Sequence, residues 1–149
     1  YAKTLEDYPT TESFINDTSV QKYTEDIFLG YRYFETFDPT YSKVNYEFGF
    51  GLSYTTFKIE TVGFNSVDGT VNATVKVTNT GNLPGKEVIQ MYASAPQGKL
   101  GKAAKVLCGF DKTQLLQPGA SETLTISCKL EDLASYDDIV CAFVWCCHL

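Results

Sequence analysis

The sequence predicts a mainly β chain, an antiparallel β-sandwich of the immunoglobulin-like kind preceded by an irregular segment. Two observations carry this. After Gly51 the chain falls into β-length runs separated by turn residues at regular intervals. The composition is rich in rings that suit half-buried pleated surfaces, with ten Tyr and ten Phe. At 149 residues, 44% of them apolar, the chain can bury one sandwich core and carry an appendage.

Residues 1 to 22 contain Pro9, paired threonines and Asn16-Asp17 but no sustained apolar period, so they read as an irregular surface segment. Tyr23 to Phe37 is dense in aromatics and reads as a strand or buried extended segment, stopped by Asp38-Pro39. Phe57 to Val62 alternates apolar and polar residues. Asp68-Gly69 offers the positive φ of a tight turn into Thr70 to Thr78, where Val71, Ala73, Val75 and Val77 share a face. Turn chemistry at Asn79 to Gly85 precedes a central strand at Glu87 to Ala93. Ala95 to Lys102 reads as a Gly-containing loop, its Gly98 to Lys102 part as a mobile solvent loop. Strands follow at Ala103 to Phe110 and Glu122 to Leu130, then a connection over Asp132 to Asp138 and an apolar closing strand at Ile139 to Cys146. The count is about six or seven strands with no long helix.

The formal net charge of −6 argues against a nucleic-acid partner, which requires a clustered basic face. No apolar run approaches the ~20 residues that span a bilayer, so no membrane partner is expected. The five cysteines, Cys108, Cys128, Cys141, Cys146 and Cys147, make no even framework, which points to buried reduced thiols and favours a reducing cytoplasm. Zinc is the alternative for Cys141, Cys146, Cys147 and His148, but adjacent ligands close a tetrahedron badly, and neither a metal nor a cofactor is expected. His148, the single histidine, lies one residue from the last position, where a stable triad is hard to hold. Gly98 to Lys102 lacks the pattern of a phosphate loop.

Three ordered stretches go further: YTEDIFLGYRYFETF at 23 to 37, YEFGFGLSYTTF at 46 to 57 and VTNTGNLPGKEVIQMYAS at 77 to 94. Together with Gly109-Phe110, LQPGAS at 116 to 121 and Asp132-Leu133, they resemble the C-terminal part of glycoside hydrolase family 3 enzymes, β-glucosidases among them, over roughly residues 7 to 137. The resemblance implies a fibronectin type III-like sandwich over residues 53 to 149. Residues 1 to 52 would be the end of an α/β domain plus linker, the α/β segment itself running to about residue 45. It implies further that the nucleophile and acid/base carboxylates belong to missing N-terminal domains. Those domains would be the chain's partners, and β-linked oligosaccharide the substrate of the full-length protein. The chain is expected to be non-catalytic and truncated upstream.

The residues agree, because retaining glycoside hydrolysis needs two carboxyl groups ~5 Å apart. Glu25-Asp26, Glu131-Asp132 and Asp137-Asp138 are adjacent in sequence, which on a strand sends them to opposite faces, and in turns leaves them solvated. Arg32 is expected to form an ordinary ion pair with Glu25 or another acid. Tyr46, Phe48, Phe50 and Tyr54, spaced by glycines, read as an interdomain clasp, with a rim near a sugar entrance as the alternative. Phe50 stands where the resembled family often has histidine, which removes a polar contact. After Asp138 the sequence departs from the family, consistent with truncation or a shifted frame, and the apolar run there would be an aggregation hazard. A free-standing carbohydrate-binding or adhesion sandwich is the competing function.

Overall fold

A computed structural model of the chain describes residues 2–16 and 19–144. It comprises two compact units, one of residues up to Phe50 together with Ser94–Val106, the other of Gly51–Ala93 and the residues from Leu107 onward.

The second unit holds the sandwich. Strand β1 (Phe57–Val67) and strand β2 (Thr70–Asn79) form a hairpin, with Phe57 opposite Asn79 and Val67 opposite Thr70. Its turn, Asp68 at φ 49° and Gly69 at φ 73°, has positive φ at both central residues, which matches the twist of the flanking strands. A bulge between Thr61 and Gly63 interrupts the pairing once. Strands β3 (Val88–Ala93) and β4 (Val106–Lys112) pair in a second sheet, while β5 (Ser121–Lys129) joins the free edge of β2 to give the order β1-β2-β5. Beyond a short 3-10 turn at Leu130–Leu133, β6 (Ser135–Asp137) and β7 (Ala142–Val144) make a small hairpin.

Alternation on β2 sends Ala73, Val75 and Val77 inward, where they meet Ile126 of β5, Ile89 of β3 and Leu116. Phe57, Met91, Ala120 and Leu124 pack around this cluster. Burying each large aliphatic side chain contributes ~1.5–3 kcal/mol. The opposite face of the sheet is polar and hydrogen-bonded across the strands: Thr78 to Ser121 at 2.8 Å, and Ser127 donating to Asn72 Oδ1 at 2.6 Å. Asn72 Nδ2 also donates to Asn65 Oδ1 at 3.1 Å, so this side chain is engaged on both sides.

One inward position on β2 is polar. Asn79 is fully buried, and its side chain makes four hydrogen bonds. Oδ1 accepts from Thr55 Oγ1 at 2.8 Å and from the Gly81 amide at 3.0 Å. Nδ2 donates to the carbonyls of Leu83 at 2.8 Å and Leu116 at 2.9 Å. Its own amide and carbonyl bond to Ala120 and Gly119.

The first unit is built on short helices, contrary to the sequence reading of residues 1 to 37. A 3-10 turn at Leu5–Asp7 and helix α1 (Thr11–Asn16) occupy the segment expected to be irregular. The expected strand at Tyr23 to Phe37 is a turn followed by helix α2 (Tyr31–Phe37), opened by Gly30 at φ 61°. Helical spacing explains the ring contacts: Tyr33 lies 5.2 Å from Phe37, one turn on, while Phe34 faces Tyr8 at 5.9 Å. Nor is the segment buried as expected; Phe34 is its one buried residue, while Tyr23, Leu29 and Phe37 are exposed.

The helix ends at Asp38, a buried carboxylate. Oδ2 accepts from the Lys43 amide at 2.7 Å, and Oδ1 from the Ser42 amide at 3.0 Å and the Ser42 hydroxyl at 2.8 Å. Burial pushes this carboxyl up, but the bonds from Lys43, Ser42 and Thr40 together outweigh it and hold its pKa below the ordinary 3.8.

Other expectations shift by smaller amounts. The strand expected at Ala103 to Phe110 begins at Val106. The connection at Asp132 to Asp138 contains β6, and the closing strand is β7, with residues 145 to 149 outside the described residues.

Two measurements probe these anchors. Asn79→Leu keeps the volume but strands the Leu83 carbonyl, the Gly81 amide and the Thr55 hydroxyl, so urea unfolding should show a loss on the order of 3 kcal/mol. A loss below ~1 kcal/mol would show the amide to be dispensable. For Asp38, a lowered folded pKa means stability that is present above the ordinary value and lost as pH falls through the folded one. Asp38→Asn should therefore speed hydrogen exchange at the Ser42 and Lys43 amides at neutral pH, and the gap from wild type should close as pH drops below 3.8. A gap independent of pH would remove the carboxylate from this role.

Candidate functional site

The aromatic run at 46 to 54 is shaped by its glycines. Gly49 sits at φ 87°, and the Phe50 amide closes the turn on the Glu47 carbonyl at 3.2 Å. That turn folds Phe50 back onto Tyr46, their rings stacked with centroids 4.6 Å apart. Phe48 stacks on Tyr31 at the start of α2, at 4.1 Å. The three ring residues of the turn remain 63%, 46% and 52% exposed for Tyr46, Phe48 and Phe50. Tyr54 is 96% exposed and belongs to the second unit. Stacked, half-open rings present apolar faces to a protein surface or a sugar ring.

Near this turn in the first unit lies a second feature that sequence reasoning missed. The loop Ser94–Val106 is anchored at several points. Lys105 Nζ pairs with Glu35 at 2.7 Å, and Tyr41 donates to the same carboxylate at 2.8 Å. The Ala104 amide donates to Thr36 Oγ1 at 3.0 Å, and Ser94 Oγ to the Ala104 carbonyl at 2.8 Å. Gln97 braces the loop internally through both Lys102 backbone groups, and Lys102 and Ala103 are buried. The Glu35 hydrogen bond raises the pKa of Lys105, and it likewise raises that of Tyr41, so the lysine remains charged and the phenol protonated at neutral pH. Nothing local in the sequence signals this triad, because its members are drawn from positions 35, 41 and 105.

The acidic residues take structural roles. Asp137 is buried rather than solvated, its Oδ1 accepting from the Ile139 amide at 2.9 Å to hold the β6–β7 turn. Glu131 pairs with Lys129 at 3.2 Å on the surface. Glu25 Oε2 is buried without a hydrogen-bond partner, and the pair expected between Arg32 and Glu25 does not form among the described residues. Of the residues weighed for zinc, Cys141 is an exposed free thiol and the other three lie outside the described residues. No helix of the described residues is long and apolar enough to cross a membrane.

Comparison with known proteins places this architecture. Residues 87–144 match the fibronectin type III-like domain family. Beta-glucosidase A of Butyrivibrio fibrisolvens is 54% identical over 93% of this chain, which spans 19% of that protein. A beta-glucosidase of Ruminococcus albus is 52% identical over 90% of the chain, against 14% of its own length. Among solved structures, a beta-glucosidase from Paenibacillus barengoltzii superposes with a TM-score of 0.85 at 48% identity, covering 93% of this chain and 15% of that one. The chain thus spans less than a fifth of the length of these relatives. In sequence and in fold it corresponds to the small C-terminal, fibronectin type III-like part of glycoside hydrolase family 3 β-glucosidases.

Proposed function

We propose that the chain serves as the non-catalytic C-terminal portion of a β-glucosidase-like glycoside hydrolase, packing against the catalytic domains of the same protein and stabilising them. Hydrolysis of β-linked glucosides or related oligosaccharides is then the work of the whole protein. Residues 1–52 would complete an α/β domain and residues 53–149 form the fibronectin type III-like domain. The observation that carries this reading is the open apolar surface of the first unit, where Tyr23, Leu29, Phe37, Tyr46 and Phe50 all stand exposed. So many large apolar side chains left open on one unit support contact with another protein surface. The roles of Glu35, Asp38 and Asp137 in internal hydrogen bonds support the same reading, since an acid engaged in holding a turn is a poor proton donor to substrate. On this view Tyr46, Phe48, Phe50 and Tyr54 form an interdomain clasp.

The test compares the longer protein encoded by the source gene with the present chain on an aryl β-glucoside. Cleavage by the longer protein alone is the expected outcome, and turnover by residues 1–149 would overturn the proposal. In the longer protein, Tyr46→Ala with Phe50→Ala should lower the melting temperature by several degrees while leaving KM within about twofold. A raised KM at unchanged melting temperature would instead place these rings at a sugar-facing rim, as a carbohydrate-binding role requires.

A further inference from the structure

Two cysteines of the second unit come from different sheets. Cys108 lies on β4, which pairs with β3, and Cys128 on β5, which pairs with β2. These two strands flank a cleft of about 500 Å³ lined by Cys108, Gly109, Phe110, Ile126 and Ser127 among others. Their backbones approach so closely that a Cβ added to Gly109 would stand 2.6 Å from Ile126 Cγ2 and 3.1 Å from the Ser127 carbonyl. The cysteines are the chain neighbours of this contact, Cys108 beside Gly109 and Cys128 beside Ser127. Both are free thiols, and Cys128 Sγ donates to the Lys129 carbonyl at 3.5 Å. Cys128 is buried on the inner face beside Ile126, whereas Cys108 is half-buried, its thiol 3.4 Å from the Met91 carbonyl.

We propose that Cys108 and Cys128 form an oxidation site, which a small-molecule disulfide closes into a covalent link between the two layers of the sandwich. Cys108, the more accessible, loses its proton and attacks one sulfur of the reagent. A mixed disulfide forms and one reagent thiol leaves. The Cys128 thiolate then attacks the Cys108 sulfur, forming the Cys108–Cys128 bond and releasing the second reagent thiol. Two protein thiols are oxidised by two electrons, and one disulfide is reduced to two thiols. Burial, and after it the neighbouring Cys128 thiol, push the Cys108 thiol up to about 12. The thiolate is the attacking species, so closure should be slow at neutral pH and quicken about tenfold per pH unit on the alkaline side of it.

Native chain would be incubated with oxidised glutathione at about pH 7 and about pH 9, quenched in acid, alkylated and mapped by mass spectrometry. The expected product carries a Cys108–Cys128 cross-linked peptide, has lost two of the five thiols to this bond, and melts higher until reduced with dithiothreitol. In Cys128→Ala the reaction should stop at a glutathione adduct on Cys108. A triple variant Cys141→Ser, Cys146→Ser, Cys147→Ser should still form the link, which separates it from pairing near the last residues. Adducts confined to Cys141, Cys146 or Cys147 with Cys108 and Cys128 both alkylated, or an equal rate at the two pH values, would overturn the proposal.

Discussion

The sandwich depends on one buried amide. Asn79 occupies an inward position at the end of β2, where alternation would place an aliphatic side chain, and it is as buried as Val77 two residues before it. A polar group there is tolerated because each of its hydrogen-bonding atoms has partners, and those partners are what must be held: Thr55 ahead of β1, the turn at Gly81 to Leu83, and Leu116 ahead of β5. Three connections without regular structure are thereby fixed to the end of the central strand. The same crowding explains the glycine at 81, where an added Cβ would fall 2.2 Å from Thr55 Oγ1 and 2.8 Å from the Thr56 amide nitrogen. An apolar residue at 79 could fill the space, but it would leave the Leu83 carbonyl, the Gly81 amide and the Thr55 hydroxyl without the partner that holds them.

Chain connectivity constrains the two units in a second way. The polypeptide leaves the sandwich after Ala93, contributes Ser94–Val106 to the first unit, and returns with Leu107. Within the first unit this loop is held by Glu35, Thr36 and Tyr41. Removing residues 1–50 would therefore strip the loop of its ion pair to Glu35 and its hydrogen bond to Thr36, and loosen the ends of β3 and β4 that it joins. The loop thus groups with the first unit by contact, although in sequence it lies between two strands of the sandwich.

The alternating strands and the Asp68-Gly69 turn were legible because their determinants are local: period-two patterning on β2 and a dipeptide suited to positive φ. Helix α2 was not legible. Seven of the eleven residues from Ile27 to Phe37 are apolar or aromatic, and so dense a run fits strand and helix templates alike. Gly30 at positive φ and the capping Asp38 decide for the helix, through hydrogen bonds that a propensity count does not see. Asn79 read as part of a turn, and locally it is next to one, but its function is set by residues 24 positions before it and 37 after it. The Glu35–Tyr41–Lys105 cluster fails the same way. The aromatic run at 46 to 54 stood out because glycine spacing is local, whereas the stacking of Phe48 on Tyr31 depended on α2.

The unequal width of the two layers shapes the remaining surface. Three strands form one sheet and two the other, and the core cluster draws on β2, β3, β5 and the segment before β5. Strand β1 lies at the edge of its sheet. Ile59 and Phe64 pair with Val77 and Ala73 and so share their inward face, yet both are more than half exposed, at 52% and 71%. The difference between Val77, fully buried, and Ile59 directly opposite it is thus a difference in what covers them, not in strand geometry. Edge strand β1 is held chiefly by its ladder to β2 and by Phe57 at the core's margin, and little by burial along its length. Apolar residues kept on an inward face without cover are the mark of a sheet that gains stability when another surface meets it, because the area already faces the right way and no strand must turn over.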